Sequence, residues 1–206
     1  MNVRAFILAG TALLSLGSGK AEPQPSTGLV TSETYLQHDT GVGHPEKPER
    51  LRAIIRRLEE GGTLKRLKQL EPRRAETRWL TTVHTLDYVR EVERACREGK
   101  PYLHSPDTPI STGSFAAALL AAGGVLRAID AVMAGAVRNA FCAVRPPGHH
   151  ALRSRAMGFC LFNNVAVGAH YVRQHHRVRR VLIVDWDVHH GNGTQAAFES
   201  DPDVLY

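Results

Sequence analysis

The sequence is poor in cysteine. Its three thiols, Cys96, Cys142 and Cys160, form no Cys-x-x-Cys pair, so neither a structural zinc ribbon nor a thioredoxin-like redox site is supported. An oxidising compartment would permit one disulfide, but inert buried thiols are the better expectation. Internal repeats and low-complexity tracts are absent. A strong charge of one sign is absent too: the formal net charge is +6, falling to about +4 once Arg4 and Lys20 are discounted with a segment expected to be removed. The basic residues are scattered among acidic ones, as along 52–68, which fits solvated helix faces and gives no footprint for nucleic acid.

Long hydrophobic runs are scarce. Ala5 to Leu16 is the first, preceded by Arg4 and followed by the small and polar stretch Gly17 to Ala21. This is the layout of a secretory signal peptide over residues 1–21, too short for a comfortable membrane span of about 20 residues. An exported, periplasmic or secreted protein is therefore expected, or a cytoplasmic one if the segment is no signal. The second run, Phe115 to Val137, is interrupted by Arg127 and Asp130 and reads as a core helix. No membrane span is expected after signal removal.

What is present is enough apolar content, 43% of 206 residues, to bury a core of one domain or the larger part of one. Residues 22–26 read as a polar linker, and the β-branched stretch 27–34 as a first strand. A loop, Gln37 to Pro48, follows, rich in turn formers and in histidine. Leu51, Ile54, Ile55 and Leu58 predict a helix from Pro48 that stops at Gly61-Gly62. A second amphipathic helix is predicted over 86–96, with His84 as a structural residue at its entrance. The Ala-rich 113–135 predicts a tightly packed helix, where Gly123-Gly124 allows close approach. Continuous apolar runs at 140–144 and 180–185, separated by a helical stretch 163–175, have the pattern of neighbouring parallel strands covered on both faces. The fold class expected is therefore α/β, with polar residues gathered at the carboxyl edge of a parallel sheet.

Two strand ends carry the chemistry. Asp185-Trp186-Asp187-Val188-His189-His190-Gly191-Asn192-Gly193 follows one buried strand, and an acidic run there calls for a compensating charge, most simply a bound cation. Asp187 and His189 are two apart, so in an extended chain both point the same way and offer half of a zinc or ferrous site. Asp185 shares that parity and is available behind the ligands or for a monovalent cation. The other strand ends in Arg145-Pro146-Pro147-Gly148-His149-His150. Two prolines stiffen that turn, and paired imidazoles are candidates for a general base and an electrostatic partner.

Together, Arg-Pro-Pro-Gly-His-His (145–150), Met-Gly-Phe-Cys-Leu-Phe-Asn-Asn (157–164) and Asp-Trp-Asp-Val-His-His-Gly-Asn-Gly-Thr-Gln (185–195) resemble the histone deacetylase and acetylpolyamine amidohydrolase family. The loop 41–51, with His44-Pro45-Glu46 and Pro48-Glu49-Arg50-Leu51, resembles that family's N-terminal loop, so the likeness spans 27–206. It implies a three-layer, arginase-like parallel sheet with helices on both faces. Asp187 and His189 would be zinc ligands, and Asp185 would orient His149 and help hold a structural potassium ion together with the carbonyls of Asp187 and His189. His150 would be the general base and His149 would stabilise charge beside it. Gly158 and Phe159 would wall a narrow tunnel for an acetyl-lysine-like or acetylpolyamine-like chain. The carbonyls of Phe198, Asp201 and Val204 fall where a second monovalent ion would bind. Asn192 stands behind His150 where some members place an aspartate, and its neutral amide suits a base; the wording there resembles the second eukaryotic class and its bacterial relatives.

The resemblance also implies a third ligand, an aspartate, and a carbonyl-binding tyrosine that match neither Asp201, Asp203 nor Tyr206. The chain is expected to be the N-terminal part of such a domain, with the remainder in a missing C-terminal part or a second chain. A metal- or acetyl-ligand-binding remnant without turnover stays open as an alternative. An arginase-like two-metal enzyme is weaker, because the tunnel motif speaks against it.

Overall fold

The computed structural model describes residues 27–206. The expected signal peptide and linker, 1–26, lie outside the described residues. Strand β1 is Gly28–Val30, and its neighbours on either side are β2, Lys68–Gln69, and β3, Ala140–Cys142, both parallel to it. Successive side chains alternate faces: Val30, Ala140 and Cys142 enter the main core, while Leu29 and Phe141 pack with Tyr35, Leu51 and Ala121 in a second cluster. The sheet is thus covered on both sides, as the continuous apolar runs predict.

The first strand is shorter than expected. The Ser32 hydroxyl accepts the Thr34 N–H at 3.2 Å and turns the chain into a 3-10 helix, Glu33–Gln37. Helix α1 is Pro48–Glu60, with proline at its first position, where a missing N–H costs nothing. A single turn, α2, follows at Thr77–Leu80, and α3 is Leu86–Arg97, capped by the Thr85 hydroxyl. Helix α4, Ser114–Met133, is long and apolar enough to cross a membrane by length and composition, but it packs in the core against β1 and β3. At Gly123 a Cβ would come within 2.6 Å of the Ala75 backbone nitrogen, so only glycine admits that segment.

Helix α5, Asn164–His176, leads to β4, Val181–Leu182; α6, Asn192–Phe198, leads to β5, Val204–Leu205, parallel to β4. One expectation is corrected here. The strands at 140–144 and 180–185 are not neighbours: β3 belongs to the sheet ordered β2-β1-β3 and β4 to a separate pair with β5. Between them opens a cavity of about 340 Å³ whose walls include Cys142, Val144, Val165 and Ile183, with His149 and Asp185 on its lining. All three cysteines are buried, and none is in a disulfide. Burial raises the thiols of Cys96, to about 11, and of Cys142 and Cys160, each to about 12, which keeps them protonated and inert.

Candidate metal centre

Aspartate turns shape the loop between β4 and α6. Asp185 Oδ1 accepts the Asp187 N–H at 3.1 Å, and Asp187 Oδ1 accepts the His189 N–H at 2.8 Å, the self-closing turn that aspartate favours. The second turn also brings Asp187 Oδ1 to 3.1 Å from His189 Nδ1. The two donors therefore meet through a turn and not through the pleat of an extended strand. Their spacing matches the ~3.3 Å between two ligands of a tetrahedral zinc with bonds of about 2.0–2.1 Å. The His189 N–H holds the Asp187 carboxyl below the usual carboxylate range, so it is ionised and ready to bind a cation. Both side chains are solvent-accessible.

The histidine pair at the end of the other turn faces this loop. His149 Nδ1 lies 2.8 Å from Asp185 Oδ2, and His149 Nε2 lies 4.0 Å from Asp187 Oδ1. His150 Nδ1 lies 2.7 Å from Asn192 Oδ1. With an amide oxygen as partner, Nδ1 carries the proton, and Nε2 keeps its lone pair for accepting one. The two rings are 4.2 Å apart, and His150 is 6.0 Å from His189 between ring centroids. Helix α6 secures the arrangement, since the Thr194 N–H donates to the His149 carbonyl at 3.1 Å and the Thr194 hydroxyl accepts from Asn163 Nδ2 at 3.1 Å.

Gly158 lies against His150, and both it and Phe159 have positive φ, 56° and 67°. A Cβ on Gly158 would stand 2.7 Å from His150 Cγ, so the absence of a side chain is what lets the loop close on the imidazole. The Gly158 N–H donates to Asp107 Oδ2 at 3.3 Å, and His44 sets its ring edge against Phe159 at 4.6 Å between centroids.

The family model for the histone deacetylase domain matches residues 44–206. The chain belongs to the histone deacetylase family. It is 45% identical over 189 residues to Polyamine deacetylase HDAC10 of Homo sapiens, covering 87% of this chain and 28% of that protein. It is 42% identical over 182 residues to a probable deacetylase of Archaeoglobus fulgidus, covering 87% of this chain and 50% of the relative. Among solved structures it is similar to the HDA15 HD domain, with a TM-score of 0.84 and 42% identity over 88% of this chain and 52% of that one. A deacetylase-type parallel α/β fold is thereby established. The chain spans half or less of the length of these two relatives and about half of that structure.

Several residues placed around this centre were not legible as such. Tyr206 donates its hydroxyl to Asp185 Oδ2 at 3.0 Å, the oxygen that also meets His149. Desolvation first, and that carboxylate second, push the Tyr206 hydroxyl up to about 12. Arg145, quoted in the first motif without a role, grips Glu46 with both nitrogens of its fork, Nε at 2.8 Å and Nη2 at 2.7 Å, and donates through Nη1 to the carbonyls of Tyr35 and His38. The signal was available, because a charge directly after a buried strand needs a partner whether it is Asp185 or Arg145. Asp107 gave no such signal. His84 is structural, as expected: it is buried, its Nδ1–H donates to the Leu152 carbonyl at 2.9 Å, and Nε2 accepts the Asn163 N–H at 2.9 Å.

Proposed function

We propose that the chain supplies the larger part of a zinc-dependent deacetylase site that hydrolyses acetyl-amide bonds of acetyl-lysine, an acetylpolyamine or a similar small amide. The observation that carries this reading is the convergence of Asp187 Oδ1 and His189 Nδ1, 3.1 Å apart, with His149 and His150 beside them. Zinc, or a ferrous ion in its place, would be held by Asp187 and His189 together with a third protein ligand, and when bound would acidify water and polarise the acetyl carbonyl.

The chain's own residues then have distinct tasks. Asn192 holds His150 with Nε2 free, and that nitrogen takes a proton from the attacking water and returns one to the leaving amine. Asp185 fixes the His149 ring, whose Nε2 lies on the Asp187 side and favours negative charge developing there. Gly158, Phe159 and His44 restrict entry to a slender chain. A potassium ion beside Asp185, the third ligand and the carbonyl-binding tyrosine belong to the same proposal, the last two lying beyond Tyr206 or on a second chain. The apolar run 5–16 supports export, and with it acetylated small amides over chromatin as substrates.

Asp187→Ala with His189→Ala should lower the zinc content of the purified full chain by one equivalent, read by elemental analysis. With the part that supplies the third ligand and the tyrosine present, turnover of an acetyl-lysine reporter should fall at least a hundredfold in His150→Ala with the metal retained. Metal content unchanged by the double substitution overturns the assignment of the ligands. Stoichiometric zinc at Asp187 and His189 with no turnover even when that part is present leaves the chain a binding module.

A further inference from the structure

A second group of metal-binding side chains lies away from this site, on the far ends of two helices. Asp130 on α4 and His175 and His176 in the last turn of α5 each offer a ligand atom, and the three atoms lie within 4.8 Å of one another. His176 Nε2 and Asp130 Oδ1 are already 2.9 Å apart. We propose that these three residues form an auxiliary binding site for a zinc-like divalent transition ion, which ties the carboxyl end of α5 to α4.

Three features favour a cation here. Two imidazoles and one carboxylate are a donor set that zinc takes in three-ligand sites, with water in the fourth position; His175 is exposed, so that position is open to solvent. Helix α5 ends immediately after the pair, at Arg177 with φ of 57°, so both histidines sit at the negative end of its dipole. The carboxylate is held from two further sides. Tyr171 donates its hydroxyl to Asp130 Oδ1 at 2.7 Å, and Arg73 pairs with Oδ2. Those contacts orient Asp130 as outer hydrogen bonds orient metal ligands elsewhere. The His175 ring is steadied in turn, stacked on Tyr171 at 4.9 Å with the Trp79 edge at 6.1 Å.

Binding needs little rearrangement. With the His176 proton on Nδ1, the ion can take the place between Nε2 and Asp130 Oδ1, which are already 2.9 Å apart. Arg73 stays on Oδ2; it is 65% exposed, so water screens its repulsion of the ion. The site rests on none of the residues assigned to hydrolysis.

Its test therefore uses the full chain carrying Asp187→Ala and His189→Ala, which removes the ligands proposed above. In that background zinc should still bind at one equivalent by calorimetry, and should raise the unfolding temperature. Adding His175→Gln and His176→Gln, which keep a side chain able to hydrogen-bond Asp130, should abolish both effects. Cobalt(II) should quench Trp79 fluorescence in the first variant and not in the second. Conversely, His175→Gln and His176→Gln alone should lose one of two zinc equivalents and leave the other. Failure of the hydrolytic reading alone would change the Asp187 and His189 equivalent and leave this one in place. No zinc in the first variant, or zinc unaffected by the glutamines, overturns the proposal and leaves a hydrogen-bonded triad only.

Discussion

Arg145 joins two segments that are 99 residues apart in sequence, and removing its charge tests whether that junction is structural. Its side chain is 4% exposed and that of Glu46 7%. Arg145→Met would leave the Glu46 carboxylate buried without a cation and two carbonyls, of Tyr35 and His38, without donors. An uncompensated buried charge costs about 3–5 kcal/mol. For a chain of this size that corresponds to a fall in Tm of roughly 6–20 °C. The double variant Glu46→Leu with Arg145→Met removes both charges, so only the orphaned carbonyls remain; it should be more stable than the sum of the single changes by about 2 kcal/mol or more. Urea unfolding of the four proteins gives the coupling directly. Hydrogen exchange should also quicken across 38–47 in Arg145→Met, because the guanidinium is what binds that loop to the turn before His149. A loss below about 1 kcal/mol, or strict additivity, would refute the reasoning.

His38 and His84 are both held down to about 4, chiefly by desolvation. Their unfolded counterparts titrate near 6.5, so the unfolded chain binds more protons between those values, and stability present above pH 6.5 is lost as pH falls towards 4. Each contributes about 3 kcal/mol to that loss; unfolding followed from pH 7 to 5 should have a shallower slope in His84→Gln, and an unchanged slope would show that this imidazole is not the cause. Gly158→Ala places a Cβ against His150 at a left-handed residue, so the ring should leave Asn192. Imidazole nitrogen shifts of His150 would register this, and any reporter turnover should fall about a hundredfold, the order expected for a displacement near 1 Å. Asn163→Ala removes the cap of α5 and the bond to Thr194, and should lower stability by about 1–2 kcal/mol in thermal unfolding.

The helices were readable because their signals are local and repeated. Leu51, Ile54, Ile55 and Leu58 mark one face of α1, and Pro48 and Gly61 mark its ends. The strands were harder: β2, β4 and β5 have two residues each, too few for any periodicity to register. The turn α2 suffers from the same brevity. Adjacency of β3 and β4 was inferred from order along the chain, and order does not determine which strands share a ladder. At the site, the residues within motifs were legible because paired imidazoles and acidic turns at strand ends are chemically conspicuous. Tyr206, Asp107 and Glu46 act from other segments, and their partnerships appear only when the chain is folded. The Asp187 and His189 donors came together, but by an aspartate turn that parity along a strand does not describe.

The separation of β3 from β4 has a mechanical consequence for the site. His149 and His150 ride on the segment leaving one sheet, and Asp185, Asp187 and His189 on the segment leaving the other. Among the described residues no ladder joins the two frames, and three hydrogen bonds span them, His149 to Asp185, His150 to Asn192, and Thr194 to the His149 carbonyl. Each is a single bond that a one-atom substitution can lengthen. Changes at Asp185, Asn192 or Thr194 should therefore shift the histidine turn against the Asp187–His189 loop without replacing His149, His150, Asp187 or His189 themselves.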